Sequence, residues 1–311
     1  MSLLEPLLVR AGATFTCHRD GLCCMDMHAW GPLDELEAAT LRMIDERTVI
    51  EHGKALVIAS NGRGSCLFSS PDGCLLHAQL GPKGKPKTCQ QFPFLIVATP
   101  SGGRIGTEHR CPCRTMGERA PVTAERGRES CDFSAIDRLV ESSVSLDDDV
   151  EISFADWEAI EGPLLRGEAT IDDPPLSGGD WEGLGRTLLE ENETTLYERA
   201  LRVFGAAVCG EPLPSLGAGW DACFDRAEAR SVEQDPEAML KDYLLDVIWS
   251  LDWVFYANWR QGRLDIATRL EVARRIARAH GGRPDRAMAE AISIVEMATM
   301  CDDYTDFVQT L

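Results

Sequence analysis

The cysteines of this 311-residue chain are concentrated near its N-terminus. Nine of the twelve lie between Cys17 and Cys131, and five of the six histidines share that region. No apolar run approaches the roughly 20 residues that span a bilayer, and the first ten residues lack the features of a secretion signal. We therefore expect a cytoplasmic protein with reduced thiols, in which this clustering indicates metal binding rather than disulfides.

The candidate ligands fall into three blocks along the chain. Thiolates bind zinc and iron strongly, and nearby glycines allow the chain to turn so that thiolates converge. The sequence therefore predicts one metal-binding module. Its predicted ligands are Cys17, Asp20, Cys23 and Cys24 in the first block, Cys66, Cys74 and Cys89 in the second, and Cys111 and Cys113 in the third.

These blocks carry a resemblance to a known family. The segments are TFTCHRDGLCC (14–24), GSCLFSSPDGCLLHA (64–78), KTCQQFPF (87–94) and HRCP (109–112). Their order and spacing resemble the YkgJ-type cysteine-cluster family, a zinc- or iron-chelating CxxCxxCC domain, over about residues 14–115. The flagellin lysine N-methylases are similar in this region and continue into a helical part. Because they are thought to carry an iron–sulfur cluster, the resemblance implies iron here, and S-adenosylmethionine as a second cofactor if the chain is a methyltransferase.

The first block departs from the family pattern at Asp20, where the family has a cysteine. Three interpretations follow: Asp20 binds the metal in its place, the position is not a ligand, or one centre has been lost. Cys113 supplies an additional thiol that could compensate.

The choice between iron and zinc rests on spacing. Structural zinc sites favour C-x2-4-C pairs, which this chain lacks apart from the degenerate first block. The adjacent Cys23 and Cys24 are poorly placed to chelate one small ion together. Cys111-Pro112 is similar to the Cys-Pro step of bacterial ferredoxins. These features favour an iron–sulfur cluster, with Zn²⁺ as the alternative.

The remaining cysteines and histidines have simpler interpretations. We expect Cys209, Cys223 and Cys301 to be small buried residues in helices, and Cys131 to be structural. The histidines near the blocks are expected to support the ligands or to lie at the surface rather than to bind the metal. They are His18, His28, His77 and His109.

The predicted fold class is α+β: a small irregular cysteine-rich module with a little sheet, followed by a mostly α-helical part. The expected segments are residues 1–130 (metal-binding module), 131–182 (acidic transition) and 183–311 (helical domain). In the module we predict a helix over 33–47 with Leu33, Leu36, Leu41 and Ile44 on its buried side. Strands are predicted over 54–60 and 94–99, and a further extended segment over 104–107 follows a turn at 100–103.

Later segments are predicted as helices. A helix or helix pair over 153–166 is interrupted at Gly162-Pro163. Asp235 and Pro236 are typical of a helix start, and this helix is expected to continue to Gly262. Two further helices are predicted over 264–280 and 284–300.

Charge and motifs leave three functions open. Residues 1–120 carry a net charge of +1 and the remainder −21, so we expect no binding to nucleic acid or to membranes. The first function is a metal-binding protein with an iron–sulfur or zinc centre. The second is an S-adenosylmethionine-dependent lysine N-methyltransferase with a protein substrate, although no clear glycine-rich nucleotide loop is present. The third is a partner-binding adaptor with a structural metal.

Overall fold

The computed structural model describes residues 4–70, 73–131, 133 and 138–311. Residues 71 and 72 of the second cysteine block and residues 132 and 134–137 of the transition segment lie outside this description. The strands are β1 (Leu7–Val9), β2 (Val49–His52), β3 (Ala55–Ile58), β4 (Ser69–Ser70), β5 (Gly73–Cys74), β6 (Phe94–Thr99), β7 (Gly102–Thr107), β8 (Ser143–Asp147) and β9 (Val150–Ser153).

Helices dominate the second half of the chain, which confirms the predicted α+β class. They are α1 (Glu35–Ile44), α2 (Leu75–Leu80), α3 (Lys87–Gln91), α4 (Pro112–Thr115), α5 (Ala124–Ser130), α6 (Phe154–Arg166), α7 (Trp181–Leu189), α8 (Leu196–Cys209), α9 (Ala218–Ala229), α10 (Pro236–Ser250), α11 (Trp259–Ala279), α12 (Pro284–Ala298) and α13 (Asp302–Val308). Short 3-10 turns cover Leu22–Cys24, Glu46–Thr48, Pro82–Gly84 and Asp252–Phe255.

The central sheet has the order β1–β7–β6, with β1 parallel and β6 antiparallel to β7. β6 matches the strand predicted over 94–99, whereas β7 begins at Gly102, before the predicted segment 104–107. Its glycines allow β1 to lie close: a Cβ on Gly102 would clash with the Pro6 carbonyl oxygen, and one on Gly103 would lie 2.8 Å from a Leu7 methyl carbon.

The first helix is shorter than predicted. α1 begins after Asp34, which forms a capping box with Glu37, and ends at Ile44, before the predicted end at residue 47. Leu41 is buried as expected, but Leu36 is 77% exposed and Ile44 51% exposed, so the predicted buried side was wrong at these two positions. The short helix covers only a narrow strip of the core. The strand predicted over 54–60 forms as β3, which pairs with β2 in a hairpin.

α6 is continuous, so the interruption predicted at Gly162-Pro163 was wrong. Pro163 lies within the last turn, where its missing N–H removes one hydrogen bond close to the natural end of the helix. The helix then ends at Gly167, whose φ of 71° provides a left-handed cap. The Pro163 carbonyl accepts hydrogen bonds from the backbone of residues 168 and 169.

Two helices replace the single helix predicted from Asp235 to Gly262. α10 begins as predicted, with Asp235 as its N-cap, but ends at Ser250 because Leu251 adopts a left-handed conformation with φ 54°. α11 begins at Trp259, before the predicted residue 264, with Asn258 in a capping box. Gly262 therefore lies inside α11, where a Cβ would lie 3.2 Å from the Trp253 ring. The glycine permits close packing and does not end the helix. α12 follows the prediction and ends two residues early.

The largest hydrophobic core joins the N-terminal module to the C-terminal helices. Leu22 and Met116 of the module are fully buried in it. Its aromatic centre contains Trp157, Trp253 and Trp259, whose ring centroids are 4.8 to 5.0 Å apart. Because the two parts share this core, packing of the helices supports the module. No helix in the described ranges is long and apolar enough to cross a membrane.

Candidate metal centre

Eight of the predicted ligands are cysteines whose thiols interact as one connected set, which we divide into two parts. We define the first thiol group as Cys17, Cys23, Cys111 and Cys113, and the second thiol group as Cys24, Cys66, Cys74 and Cys89. None of the twelve cysteines forms a disulfide. Both groups draw on distant parts of the sequence, so the fold brings the three sequence blocks together.

The thiols of the first group lie near enough to one another to shift each other's pKa values. The Cys17 thiol interacts with Cys113, and Cys113 interacts with Cys111. Cys111 in turn interacts with Cys23. Pro112 begins α4 immediately after Cys111, and the single turn of α4 brings both buried thiols of the third block to this group. The backbone N–H of residue 18 also donates to Cys113 Sγ at 3.2 Å.

The second thiol group lies in a hydrophobic cluster beside α1. The Cys66 N–H donates to the Cys24 carbonyl at 2.7 Å, which connects the first two cysteine blocks. Cys74 pairs with Ser69 in the β4–β5 hairpin, and Cys89 lies in α3. Burial raises the pKa of Cys66 to about 11 and that of Cys89 to about 12, with neighbouring cysteines adding to the shift. These thiols are therefore protonated at neutral pH until a metal displaces their protons.

Cys23 and Cys24 connect the two groups. They lie in a 3-10 turn that follows Gly21, whose φ of 87° is left-handed and suits glycine. Cys23 interacts with Cys111 and Cys113 in the first group and also with Cys66 and Cys89 in the second. Cys24 interacts with Cys66, Cys74 and the adjacent Cys23. The turn therefore joins the two groups.

Asp20 is buried beside the first thiol group, with 1% of its surface exposed. Its carboxylate accepts hydrogen bonds from the Arg230 guanidinium, including one at 3.1 Å from Nε, and lies 3.2 Å from Cys113 Sγ. Burial raises the pKa of Asp20 to about 6, and the Arg230 contacts oppose this rise. Arg226 also donates to the Asp20 carbonyl oxygen, at 3.1 Å from Nε. The residue that replaces the family's cysteine is therefore held by two arginines.

Sequence reasoning missed these arginines. Arg226 lies on α9 and Arg230 caps its C-terminal end, more than 200 residues after Asp20. Their spacing of one helical turn places both on one side of the helix. This spacing is the only sequence feature that links Arg226 with Arg230, and it does not indicate that they bind Asp20.

A buried ionic network fixes α4, which carries Cys113 of the first thiol group. Arg114 pairs with Asp242 at 2.6 Å and with Asp246, both on α10, and it is fully buried. Asp246 also accepts hydrogen bonds from Arg10 and, at 2.9 Å each, from Thr107 and His109. Because Arg114 directly follows Cys113, this network holds the first thiol group against α10.

The histidines do not join the thiols through their rings. The His109 ring bonds to Asp246, and burial lowers its pKa to about 4. His28 Nδ1 accepts a hydrogen bond from Arg110 at 3.1 Å, and burial lowers its pKa to about 3. In the described part of the chain, His18 Nε2 has no hydrogen-bond partner. Burial lowers the pKa of His18, and the nearby Cys113 opposes this shift. Burial also lowers the pKa of His77.

Of the other four cysteines, Cys223 lies near the first thiol group, since it interacts with Cys23 and Cys113 and accepts a hydrogen bond from Arg226 at 3.3 Å. Cys223 and Cys301 are buried in helical surroundings, as expected, and Cys209 is only half-buried. The Cys223 sulfur lies 3.8 Å from Met25 Sδ. Cys131 is half-buried at the edge of the central-sheet core. Its burial raises the thiol pKa to about 12. Cys131, Cys209 and Cys301 provide natural controls for the eight grouped thiols.

Cysteine thiolates are side chains that bind zinc and iron. In this structure, however, the described thiols interact in pairs and do not surround a common point. Among the described residues, no group of three or more histidine, cysteine, aspartate or glutamate side chains is positioned to hold a metal ion as it stands. Each thiol group nevertheless offers four sulfurs, the number that a structural zinc ion or a [4Fe–4S] cluster takes. Binding either requires the thiols to lose their protons and to reorient.

A cavity of about 700 Å³ lies between the module and helices α8 and α13. Its wall includes Trp30 and Tyr197 and five carboxylate side chains. The acidic residues are Asp26, Glu191, Glu198, Asp302 and Asp303. Such a wall suits a cationic ligand, because carboxylates attract positive charge.

No protein-family model matches the chain, and no curated protein or solved structure matches it. The resemblance to the YkgJ-type family, and the cofactors it implies, therefore stay predictions.

Proposed function

We propose that the chain is a metal-binding protein in which cysteines of the N-terminal module hold an iron–sulfur cluster, with zinc as the alternative metal. The observation that carries this proposal is the gathering of eight reduced cysteines from three distant blocks. Thiols packed against one another gain little as hydrophobic side chains, whereas their thiolates are strong ligands for soft metals. The cluster or ion would connect the three cysteine blocks and would supply electron transfer or structural stability.

Metal analysis tests this proposal directly. The full chain is purified without oxygen, and iron, acid-labile sulfide and zinc are measured together with the visible spectrum. A brown protein with iron and sulfide in equal amounts supports the cluster. A colourless protein with stoichiometric zinc refutes the cluster and supports the alternative. A protein that binds neither metal refutes the proposal.

A matched pair of variants tests the ligand assignment. Cys89→Ser removes a member of the second thiol group, whereas Cys131→Ser removes a half-buried thiol that directly follows the module and lies outside both groups. We expect the first variant to lose metal and the second to retain it. Equal metal content in the two variants would contradict the assignment.

Methyl transfer to a protein lysine is a second candidate, favoured by the acidic cavity beside the module. Both a lysine ammonium and the sulfonium of S-adenosylmethionine are cations that its carboxylates would attract. Calorimetric titration of the metal-loaded protein with S-adenosylmethionine tests this candidate. Binding that is lost in Asp302→Asn with Asp303→Asn supports it, and the absence of heat in the unsubstituted protein counts against it.

A further inference from the structure

A smaller cavity, of about 460 Å³, lies where the central sheet meets the C-terminal helices. Its wall includes Leu95 of β6, Glu108 just after β7, Arg269 of α11 and Glu296 of α12. We call it the mixed-charge cavity. It differs from the acidic cavity described above, with which it shares only Met300 among the lining residues of the described chain. Its volume is within the range of small-molecule sites.

The three arginines that line the mixed-charge cavity are already paired with carboxylates. Two of these contacts are hydrogen bonds from Nε, at 2.6 Å from Arg110 and at 3.0 Å from Arg269. The positive charges of the wall are thus neutralised within the protein, which disfavours an anionic ligand. The pairs are Arg110 with Glu108, Arg138 with Asp252, and Arg269 with Asp265.

Glu296 is the acid that these pairs leave over. Its carboxyl accepts a hydrogen bond from the backbone N–H of His109 at 3.2 Å. Among the residues that the structure describes, no arginine or lysine forms a salt bridge with it. Burial, reinforced by the Asp252 and Glu108 carboxylates, raises the pKa of Glu296 to about 7. A buried carboxylate is costly unless it is paired, so a bound cation would supply the partner that the protein itself does not.

Apolar side chains stand at the opening of the mixed-charge cavity. Phe255 is 43% exposed and Met300 is 47% exposed, so both are accessible to a ligand that enters from solvent. An aromatic face attracts a cation and also packs against an apolar body. The wall therefore suits a ligand that has one positive charge at one end and an apolar group at the other.

From these observations we propose that the mixed-charge cavity binds a small primary amine with an apolar body, whose ammonium group pairs with the Glu296 carboxylate. The ammonium donates hydrogen bonds to the carboxylate, and the apolar body lies against Phe255 and Met300. This site lies outside the thiol groups, so the inference goes beyond the proposed metal-binding function and does not depend on it.

Calorimetric titration of the full-length protein with benzylamine at pH 8 provides the first test. Benzyl alcohol is the matched probe, because it has a similar shape and no charge. We expect benzylamine to bind at least about tenfold more tightly, since a hydrogen bond to a charged group contributes about 1.5–3 kcal/mol. Equal affinities, or no binding of benzylamine, would overturn the inference. Metal content is measured on separate samples, so either proposal can fail alone.

A pair of variants locates the site. Glu296→Gln keeps the shape of the side chain and removes its charge, and we expect it to weaken benzylamine binding about tenfold or more. Glu233→Gln makes the same change in net charge at an exposed position before α10 that does not line the cavity, and it should bind as the wild type does. Equal weakening in both variants would show that the amine responds only to net charge and would refute the site.

The pH dependence provides a readout that does not require a variant to fold. The ionised fraction of a carboxyl with a pKa of about 7 rises about tenfold between pH 6 and pH 8, while an alkyl ammonium, with a pKa near 10, stays charged. The affinity for benzylamine should therefore rise about tenfold over this range, and an affinity independent of pH would contradict the pairing. The charged groups that face Glu296 across the cavity are Glu108, Arg110, Arg138, Asp252 and Arg269.

Discussion

Asp246 is the residue whose removal we expect to destabilise the protein most. Its carboxylate accepts hydrogen bonds from Arg10, Thr107, His109 and Arg114, and its side chain is 4% exposed. Asp246→Ala leaves the Arg114 guanidinium, which is fully buried, with Asp242 as its remaining acidic partner. Arg10 depends on that same carboxylate. Two buried cations would then share one carboxylate that is 25% exposed.

The magnitude follows from this burial. Removing one partner of a buried ion pair costs about 3–5 kcal/mol, because the remaining charge stays desolvated. The shared Asp242 compensates in part, so we expect the lower end, about 3 kcal/mol. With a urea dependence of about 3 kcal/mol per M, the unfolding midpoint would fall by about 1 M.

Urea unfolding followed by circular dichroism measures this change. Glu168→Ala is the matched control, because it breaks an Arg–Glu pair of similar length, 2.7 Å, in which both side chains are more than half exposed. Exposed pairs contribute little, so its midpoint should not move. Equal midpoints for Asp246→Ala and Glu168→Ala would refute the argument that burial makes the network important.

Three further predictions concern packing, capping and pH. Gly262→Ala should lower thermal stability by about 1–3 kcal/mol through overpacking against Trp253, whereas Gly281→Ala, with open space around it, should not; equal melting temperatures would contradict this. Asn258→Ala should cost about 1 kcal/mol in urea unfolding by removing the α11 cap, and an unchanged midpoint would show that the cap is unimportant. Burial raises the pKa of Glu296 from 4.5 to about 7, so its ionisation destabilises the folded state as the pH rises through that range. Glu296→Gln should therefore be more stable than wild type at pH 8 and equal to it near pH 4; a gap independent of pH would exclude this mechanism.

Sequence patterns predicted those helices and strands whose positions are set by interactions between neighbouring residues. The short apolar run at residues 94–99, followed by a turn, predicted β6, and Asp235-Pro236 predicted the start of α10. The end of α10 depended on Leu251 adopting a left-handed conformation that leucine rarely takes, so no composition rule indicates it. The start of α11 was signalled by the capping box at Asn258, which the nearby Gly262 obscured.

The candidate site was predictable as a set of residues but not as an arrangement. The spacing of the cysteine blocks indicated which thiols to consider. Cys111 and Cys113 pack into the core around the central sheet, whereas the second thiol group packs against a separate cluster, and this is a property of the whole fold. The pairing of Asp20 with Arg230 joins residues that are 210 positions apart. Such contacts arise from tertiary packing, to which local patterns are insensitive.

The positions of the two groups along the chain imply an order of assembly during synthesis. The second thiol group is complete once Cys89 has left the ribosome, and its support, Lys85, is already present. The first thiol group has all its sulfurs at Cys113 but waits for α9 and α10, which supply Arg230 and Asp246. Domains fold as their residues emerge at about 5–20 residues per second. The first group's thiols therefore spend several seconds without their helical supports.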